Sequence, residues 1–381
     1  MNFQLSEEHS MLKQTIRAFA EKEIKPKAAE HDKTREYPFE NVRKAAGLNL
    51  MGIMIPEEYG GGGMDCVSYV IAVEEISRCC ASTGVIISVN NSLYCHPVLF
   101  FGTEEQKRKY LSPCAKGEKI GAFCLTEANA GSDAGNQQST AVFKGDRYIL
   151  NGTKLFVTNG VAADYMIIFA MTDRGKKTKG ISAFIVEKDF SGLTKGKDEV
   201  KLGITCSGAC EIVLENCEVP SENLLGKEGD GFKIAMNALE EGRIGIASQA
   251  VGIAQAILDE SLKYSKERVQ FGKPISEFQA IQWMLSDMAT EIEAARLLNY
   301  RAAMKRDSGA KYTLESSMAK LFASEVAMKS AIKGIQIFGG YGYINEYPME
   351  RFFRDAKITE IYEGTSEIQR LIISGLILKG N

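Results

Sequence analysis

The sequence predicts an α+β fold, mainly α, with an N-terminal helical domain, a middle antiparallel β domain and a C-terminal four-helix bundle. Three observations carry this expectation. Apolar residues recur at helical spacing up to about residue 120, the runs shorten to strand length over residues 119–219, and long helical faces return from Gly231 onward. The implied boundaries are 1–119, 120–229 and 230–381, three packed units for a chain of 381 residues.

In the first unit, Leu12, Ile16, Phe19 and Ala20 share one helical side, with Glu21, Lys22, Glu23 and Lys25 opposite. An apolar piece at 50–55 leads into four glycines at 60–63. They lack G-x-G-x-x-G spacing and no strand–loop–helix unit follows, so a plain loop is predicted instead of a dinucleotide turn. A helix is expected from Val67 to about Arg78. Asn90, Asn91 and Ser92 then interrupt an apolar segment and mark a polar spot beside a pocket. In the second unit, 148–154 reads as a strand ending in a turn, and 165–170, 181–186, 212–214 and 217–219 have strand length. Their connections are short and carry no helices, which argues against a doubly wound nucleotide fold. In the third unit, Ile246, Ala250, Ile253, Ala254, Ile257 and Leu258 form one face. Ile281, Met284, Leu285, Met288, Ile292 and Ala295 form another, and Leu321, Val326 and Ile332 lie in a third. Helices of roughly 20–30 residues joined by short loops make an antiparallel bundle.

Composition narrows the function. Hydrophobic content of 45% and charged content of 25% are ordinary for a globular protein, and a formal net charge of −3 offers nucleic acid no basic field. No apolar run reaches ~18 residues, so no membrane span is expected. The charged amphipathic start lacks the marks of a targeting peptide, which leaves the cytoplasm as the expected location. Nine cysteines scattered through apolar runs read as reduced thiols. With three histidines and no second close cysteine pair beside Cys206 and Cys210, no metal site is expected, and a Ser-His-Asp or Cys-His hydrolase is disfavoured. Redox or proton-transfer chemistry would then fall to carboxylates and a cofactor.

Five stretches break the periodicity with polar and glycine residues. Stretch 123–133 runs a strand into a loop of small and hydroxyl residues, suited to close backbone contact with a flat polar ligand. Stretch 154–160 adds an aromatic ring and a Thr hydroxyl from a neighbouring strand. Stretch 268–275 is a cationic helix end and turn that can hold phosphate. Stretch 336–343 is a glycine-rich turn whose N–H groups are free to bind an anion. In 354–370, Gly364 allows a sharp turn, Thr365 or Ser366 can cap the following helix, and Glu363 projects from the elbow. Singly, each also reads as a structural turn, and Glu363 as a solvated loop residue. Both readings stand open at this level.

Together, in this order and spacing, the stretches resemble the acyl-CoA dehydrogenase flavoprotein family over essentially the whole chain, nearest its short-chain, butyryl-CoA branch. The motifs that carry the resemblance are Leu125-Thr126-Glu127 with Gly131-Ser132-Asp133, Gly242-Arg243-Ile244-Gly245, 268–274, Gly339-Gly340-Tyr341-Gly342 and 355–370. The resemblance implies FAD between the β domain and the bundle. Phe123, Leu125, Thr126, Gly131, Ser132, Phe156, Val157 and Thr158 would line the isoalloxazine and ribityl chain, with Thr158 donating toward flavin N5. Arg268, Phe271, Gln279, Gln336, Ile337, Phe338, Gly339 and Gly340 would meet the ADP half of a neighbouring subunit's FAD, which implies a homo-oligomer, by family habit a tetramer. Thr365 and Glu367 would close over the flavin.

By the same resemblance Glu363 is the catalytic base. It would take the α-proton of an acyl-CoA thioester, with burial raising its pKa toward working pH. The Glu363 backbone N–H and a flavin ribityl hydroxyl would hold the thioester oxygen, and the β-hydrogen would leave as hydride to flavin N5, giving a trans-2-enoyl-CoA. Some branches place the base immediately before the arginine of the Gly-Arg motif, which here is Gly242. Glu240 and Glu241 resemble the acidic position that helps bind CoA, together with Arg243. Ser132 would touch the pantetheine, and Tyr362 and Gly364 would flank the thioester. Gln249 and Thr359 match polar residues that close the acyl pocket early, which implies a C4-like substrate. The chain departs from the family at Ala128 (commonly Pro), Phe156 (frequently Trp), Glu240 (usually Asp) and 207–210, which lacks the usual Thr near the acyl-CoA entrance.

The resemblance implies electron transfer to an electron-transferring flavoprotein. An alternative is the reverse reaction, an enoyl-CoA reductase in complex with that flavoprotein. An acyl-CoA oxidase is not expected, because that group usually carries a longer C-terminal extension. A different class is a non-catalytic acyl-CoA or flavin-binding module, against which stands the retention of Glu363, Arg243 and the FAD set.

Overall fold

The structure, a computed structural model, describes residues 4–380. Its N-terminal domain is helical, as the periodicity predicts. Ser6 caps α1 (Glu7–Phe19), its hydroxyl accepting from His9 N at 3.1 Å; α2 (Ala28–Thr34) and α3 (Phe39–Ala46) follow. The glycines at 60–63 form a loop before α4 (Cys66–Cys79), which Asp65 caps. Then α5 (Ala81–Ser88), a π-helical turn (Val89–Cys95) and α6 (His96–Phe101) run on continuously, with single turns α7 (Glu104–Gln106) and α8 (Ser112–Ala115) behind them.

Two features of this segment bear on the expectations. Ala81–Phe101 is a 21-residue stretch long and apolar enough to cross a membrane, although 83% of its apolar window is buried inside the protein. The polar interruption at 90–92 lies beside a cleft, as expected, and its amides serve backbone groups. Asn90 donates to Met51 O (2.7 Å) and Cys114 O (3.1 Å) and accepts from Gly121 N (2.9 Å). Asn91 donates to Leu50 O and Ile87 O and accepts from Ile53 N. Both amides satisfy buried backbone groups of neighbouring loops, and Val89 and Leu93 of the same turn face the cleft described below.

The middle domain is one sheet in the order β6 (Leu193–Lys195), β7 (Cys210–Pro220), β3 (Arg147–Val157), β2 (Thr140–Lys144), β4 (Tyr165–Met171), β5 (Ile181–Glu187) and β8 (Leu224–Leu225). β1 (Gly121–Cys124) joins it in parallel with β4, and β2 meets β4 in parallel at one point; the remaining pairs are antiparallel. Alternation along β4 divides the core. Ile167 and Phe169 pack with Tyr94, Tyr110 and Ile234, while Met166, Ile168 and Ala170 pack with Leu150, Phe184 and Ile212.

In the C-terminal domain α9 (Gly231–Glu267) runs 37 residues, longer than its apolar face alone predicts. At Gly252 it passes so close to α4 that a Cβ would lie 2.4 Å from Glu74 O. A short hairpin, β9 (Val269–Gln270) and β10 (Lys273–Pro274), leads to α10 (Gln279–Asp307) and α11 (Thr313–Phe338). Ile332, read as a core position, is exposed. In place of a fourth long rod, α12 (Met349–Ile358) and α13 (Ser366–Ile377) are joined by an elbow at 359–365.

Candidate active site

One cleft of about 440 Å³ is lined by β1 and the loop after it, the end of β3, α9 and the elbow, with Val89 and Leu93 of the π-helical turn, Thr178, and Ile368 and Ile372 of α13. The first brings Phe123, Leu125, Thr126, Gly131 and Ser132, with the Phe123 ring edge-on to Phe169 at 4.9 Å. The loop is held by Lys154, whose ammonium donates to Glu127 Oε1 (2.7 Å), Gln137 Oε1 (3.1 Å) and Leu125 O (3.3 Å). Leu155 N also donates to Thr126 O at 2.9 Å. A register shift between β3 and β7 after Lys154 coincides with φ +56° at Phe156, which leaves that ring 67% exposed on the cleft. A bulge commonly re-aims one side chain in this way. Thr158 lines the cleft just beyond.

The elbow supplies Tyr362, Glu363 and Gly364. Glu363 has φ +53° and Gly364 φ +95°, a left-handed pair that turns the chain out of α12. Thr365 is the cap of α13 and accepts from Ile368 N at 3.3 Å; Ser366, the alternative, is not. Gln369 Nε2 donates to Glu363 O (3.2 Å) and Gly364 O (2.9 Å), and Lys320 Nζ donates to Gly364 O (2.7 Å). Glu363 Oε2 is buried with no hydrogen-bond partner among the described residues. Burial pushes this carboxyl up to about 8, against the pull of the Lys320 ammonium and the Arg243 guanidinium. Arg243 on α9 is itself buried, its Nε and Nη1 lack partners, and burial draws its pKa down. An unpaired buried carboxyl and an unpaired buried guanidinium on one cleft are costly unless a ligand meets them.

Gly242 explains how the carboxylate fits. A Cβ there would stand 1.9 Å from Glu363 Oε2, so the side chain rests on a bare helix backbone. Position 242 and the elbow therefore point at one spot. Gly242→Ala is expected to fold, since a carboxylate tip can swing away, and to lose at least ~10²-fold in turnover, the order of effect that follows a shift of about 1 Å at a reacting group. Steady-state rates beside a melting curve check this, and unchanged turnover would mean that Glu363 works from elsewhere.

The other expected site residues lie in several places. Gln249 and Thr359 are fully buried behind the cleft: Gln249 accepts from Tyr362 OH and donates to Ala81 O (2.9 Å), and Thr359 donates to Ala356 O (2.7 Å). Val157 turns its side chain into the sheet core, and Glu367 points to solvent. Glu240 accepts from Thr313 Oγ1 at 2.5 Å, whereas Glu241 is fully buried with Arg306 and Tyr312 (both 3.1 Å), which corrects its reading as a ligand contact. Stretch 207–210 packs by Tyr37 and Val161 and does not line the cleft. Arg268, Ile337, Phe338, Gly339 and Gly340 line a second cleft of about 500 Å³, with Arg268 over the Tyr341 ring. Phe271 is 94% exposed, and Gln279 and Gln336 are exposed too.

These residues fit a flavin dinucleotide. The first cleft offers an apolar slot edged by the Thr126, Ser132 and Thr158 hydroxyls, and nothing stands within 4 Å of a Cβ built on Gly131, so backbone there is open to a ligand. The second offers a cation and bare glycine backbone at Gly339 and Gly340, suited to phosphate. Lys320 was missed by the periodicity, although its spacing from Ser316, Ala323, Ser324 and Ala327 places it on the buried side of α11. Among the described residues no group of three or more His, Cys, Asp or Glu side chains is placed to hold a metal ion.

Three family profiles match the chain: "Acyl-CoA dehydrogenase, N-terminal domain" over residues 6–118, the middle domain over 122–217 and the C-terminal domain over 229–378. The chain is 55% identical over 379 residues to the short-chain specific acyl-CoA dehydrogenase of Clostridium acetobutylicum, covering 100% of both. Butyryl-CoA dehydrogenase from Megasphaera elsdenii superposes with a TM-score of 0.97 at 47% identity, over 99% of this chain and 100% of that one. A chain from the structure described as "Electron transferring flavoprotein of Acidaminococcus fermentans: Towards a mechanism of flavin-based electron bifurcation" superposes at 0.98, with 53% identity over 100% of both.

Proposed function

The chain belongs to the acyl-CoA dehydrogenase family of FAD-dependent oxidoreductases, and from that premise we propose that it removes the α- and β-hydrogens of a short, butyryl-like acyl-CoA with Glu363 as base. The observation that carries this reading is the Glu363 carboxyl, buried on the cleft without a partner and held near working pH. Bound FAD supplies the acceptor for the two electrons and the β-hydrogen. The chain's own work is to place and shield. Thr126, Ser132, Thr158 and the Phe123 and Phe156 rings would hold the flavin, and the apolar walls from Val89, Leu93 and Leu239 exclude water. The Glu363 backbone N–H, for which no partner stands among the described residues, meets the thioester oxygen as negative charge gathers there. The α C–H proton passes to the Glu363 carboxylate, the β C–H pair leaves as hydride, and a trans Cα=Cβ bond remains. Glu240 and Arg243 serve the CoA side.

The remaining features follow from the same reading. The Arg268 cleft takes the ADP half of a neighbouring subunit's FAD, so the protein is a homo-oligomer, a tetramer by family habit, built of units 1–119, 120–229 and 230–381. It works in the cytoplasm and passes electrons to an electron-transferring flavoprotein. The likeness to the Acidaminococcus chain supports a second reading, reduction of an enoyl-CoA in complex with such a flavoprotein. NADH-driven reduction of crotonyl-CoA after co-purification decides the direction.

Purified protein is expected to be yellow and to bleach on anaerobic mixing with butyryl-CoA, and a panel from propionyl- to octanoyl-CoA fixes the substrate. The Tyr362–Gln249–Ala81 chain sets the floor of the acyl site. Gln249→Ala should raise the hexanoyl-to-butyryl ratio of kcat/KM at least ~10-fold, the order that one or two methylenes are worth in an apolar pocket. An unchanged ratio would place the floor elsewhere.

A further inference from the structure

Lys320 is a cation that the proposed chemistry leaves without a role. It sits on α11 among small buried residues, is 0% exposed, and makes no ion pair among the described residues. A lysine is almost never fully buried unless its ammonium is engaged. Its one hydrogen-bond partner is Gly364 O, at 2.7 Å. That carbonyl is the hinge of the elbow, which a glutamate at φ +53° and a glycine at φ +95° hold in a conformation that L side chains seldom adopt. Such backbone persists only where its surroundings over-determine it, and Lys320 from α11 and Gln369 from α13 converge on the same oxygen.

We propose that Lys320 is a positioning residue for Glu363: its ammonium holds the Gly364 carbonyl, which fixes the elbow that aims the carboxylate, and supplies the positive field that lets a buried carboxylate ionise. This rests on the reading of Glu363 as the base. The electrostatics agree with the geometry. Burial draws Lys320 down to about 8, opposed by Glu363, and Lys320 is the larger of the two cationic influences on Glu363. The other charged or titratable groups facing the pair are Arg243 on α9, Glu360 and Glu367 beside the elbow, Tyr362, and Tyr69 on α4.

The test uses flavin-loaded enzyme and the pH dependence of kcat/KM for butyryl-CoA. With Lys320→Met the acidic limb should move up by about 1–2 pH units, the usual effect of an opposite charge nearby, and turnover at neutral pH should fall at least ~10-fold. A limb that stays in place, with flavin retained, overturns the role. Lys320→Arg keeps the charge but crowds the carbonyl, so the limb should hold while kcat drops at least about threefold. If both limb and kcat match the wild type, the elbow does not depend on this contact and the inference falls, whether or not the Met variant folds. Glu363→Gln keeps the two readings apart. Normal bleaching by that variant removes the base assignment, whereas its inertness beside an unmoved Lys320→Met limb removes the Lys320 inference alone.

Discussion

Glu363→Gln is expected to retain its flavin and to lose at least ~10³-fold in the rate of anaerobic bleaching by butyryl-CoA, towards the upper range of a general base. The amide keeps the size of the side chain, so its seat against Gly242 and the elbow hydrogen bonds from Lys320 and Gln369 stay in place. What disappears is the proton acceptor, and no other carboxylate lines this cleft except Asp133, on the loop after β1. The pH profile separates lost basicity from lost structure. In the wild type the carboxyl, raised to about 8 by burial, is protonated and idle at lower pH, so kcat/KM should climb as pH rises through about 8 and then level. The residual rate of the Gln variant should lack that limb. Normal bleaching, or a variant that keeps the limb, would overturn the assignment.

Lys154→Met is expected to cost the fold about 3–5 kcal/mol, the penalty for leaving a buried charge without its partner. Lys154 is 0% and Glu127 6% exposed, and Glu127 also accepts from Gln138 N (2.6 Å) and Ser139 N (3.1 Å). Burial alone would raise the Glu127 pKa; the Lys154 ammonium together with the Ser139 and Gln138 hydrogen bonds outweighs it and holds the carboxyl below its ordinary 4.5. The sign of the linkage follows. A depressed carboxyl stabilises the fold above its unfolded pKa and loses that contribution as pH falls through the folded value. The gap between wild type and variant in urea midpoints should therefore be full at pH 7 and shrink below about pH 4. Adding Glu127→Gln should recover much of the loss, since the uncompensated charge goes with it. Because Lys154 also tethers Leu125 O, the single variant should release flavin more readily. A cost under ~1 kcal/mol would show that the pair is dispensable.

The parts of this molecule legible from sequence were those written locally. The change from helical to strand periods located the three domains, Gly364 and Thr365 announced the turn and cap, and the short polar stretches brought together Thr126, Ser132, Thr158 and Glu363 on one cleft. Illegible were features created by segments meeting across the chain. The Phe156 ring faces the cleft because of a register shift between β3 and β7, and no residue near Phe156 encodes the partner strand's spacing. Asn90 stood out as polar in an apolar run, but the backbone it serves, at Met51, Cys114 and Gly121, lies far away in sequence. Ala81–Phe101 is apolar on average, although its polar interruptions divide it into shorter apolar runs. Glu241 and Glu240 are adjacent, yet only packing against Arg306 and Tyr312 assigns the former to structure.

The tight seat of Glu363 against Gly242 bears on how such a protein can change over generations. Two segments, a helix and an elbow, can each deliver a carboxylate to the same point. A glutamate arriving at 242 while Glu363 remains would meet filled space and a like charge. On the proposed role of Glu363, losing it first would leave no base at all. Each single step is harmful and only the pair restores function, so the two solutions lie on separate fitness peaks. A lineage that has settled on one is held there by the close packing of the two positions, even where the other would catalyse equally well.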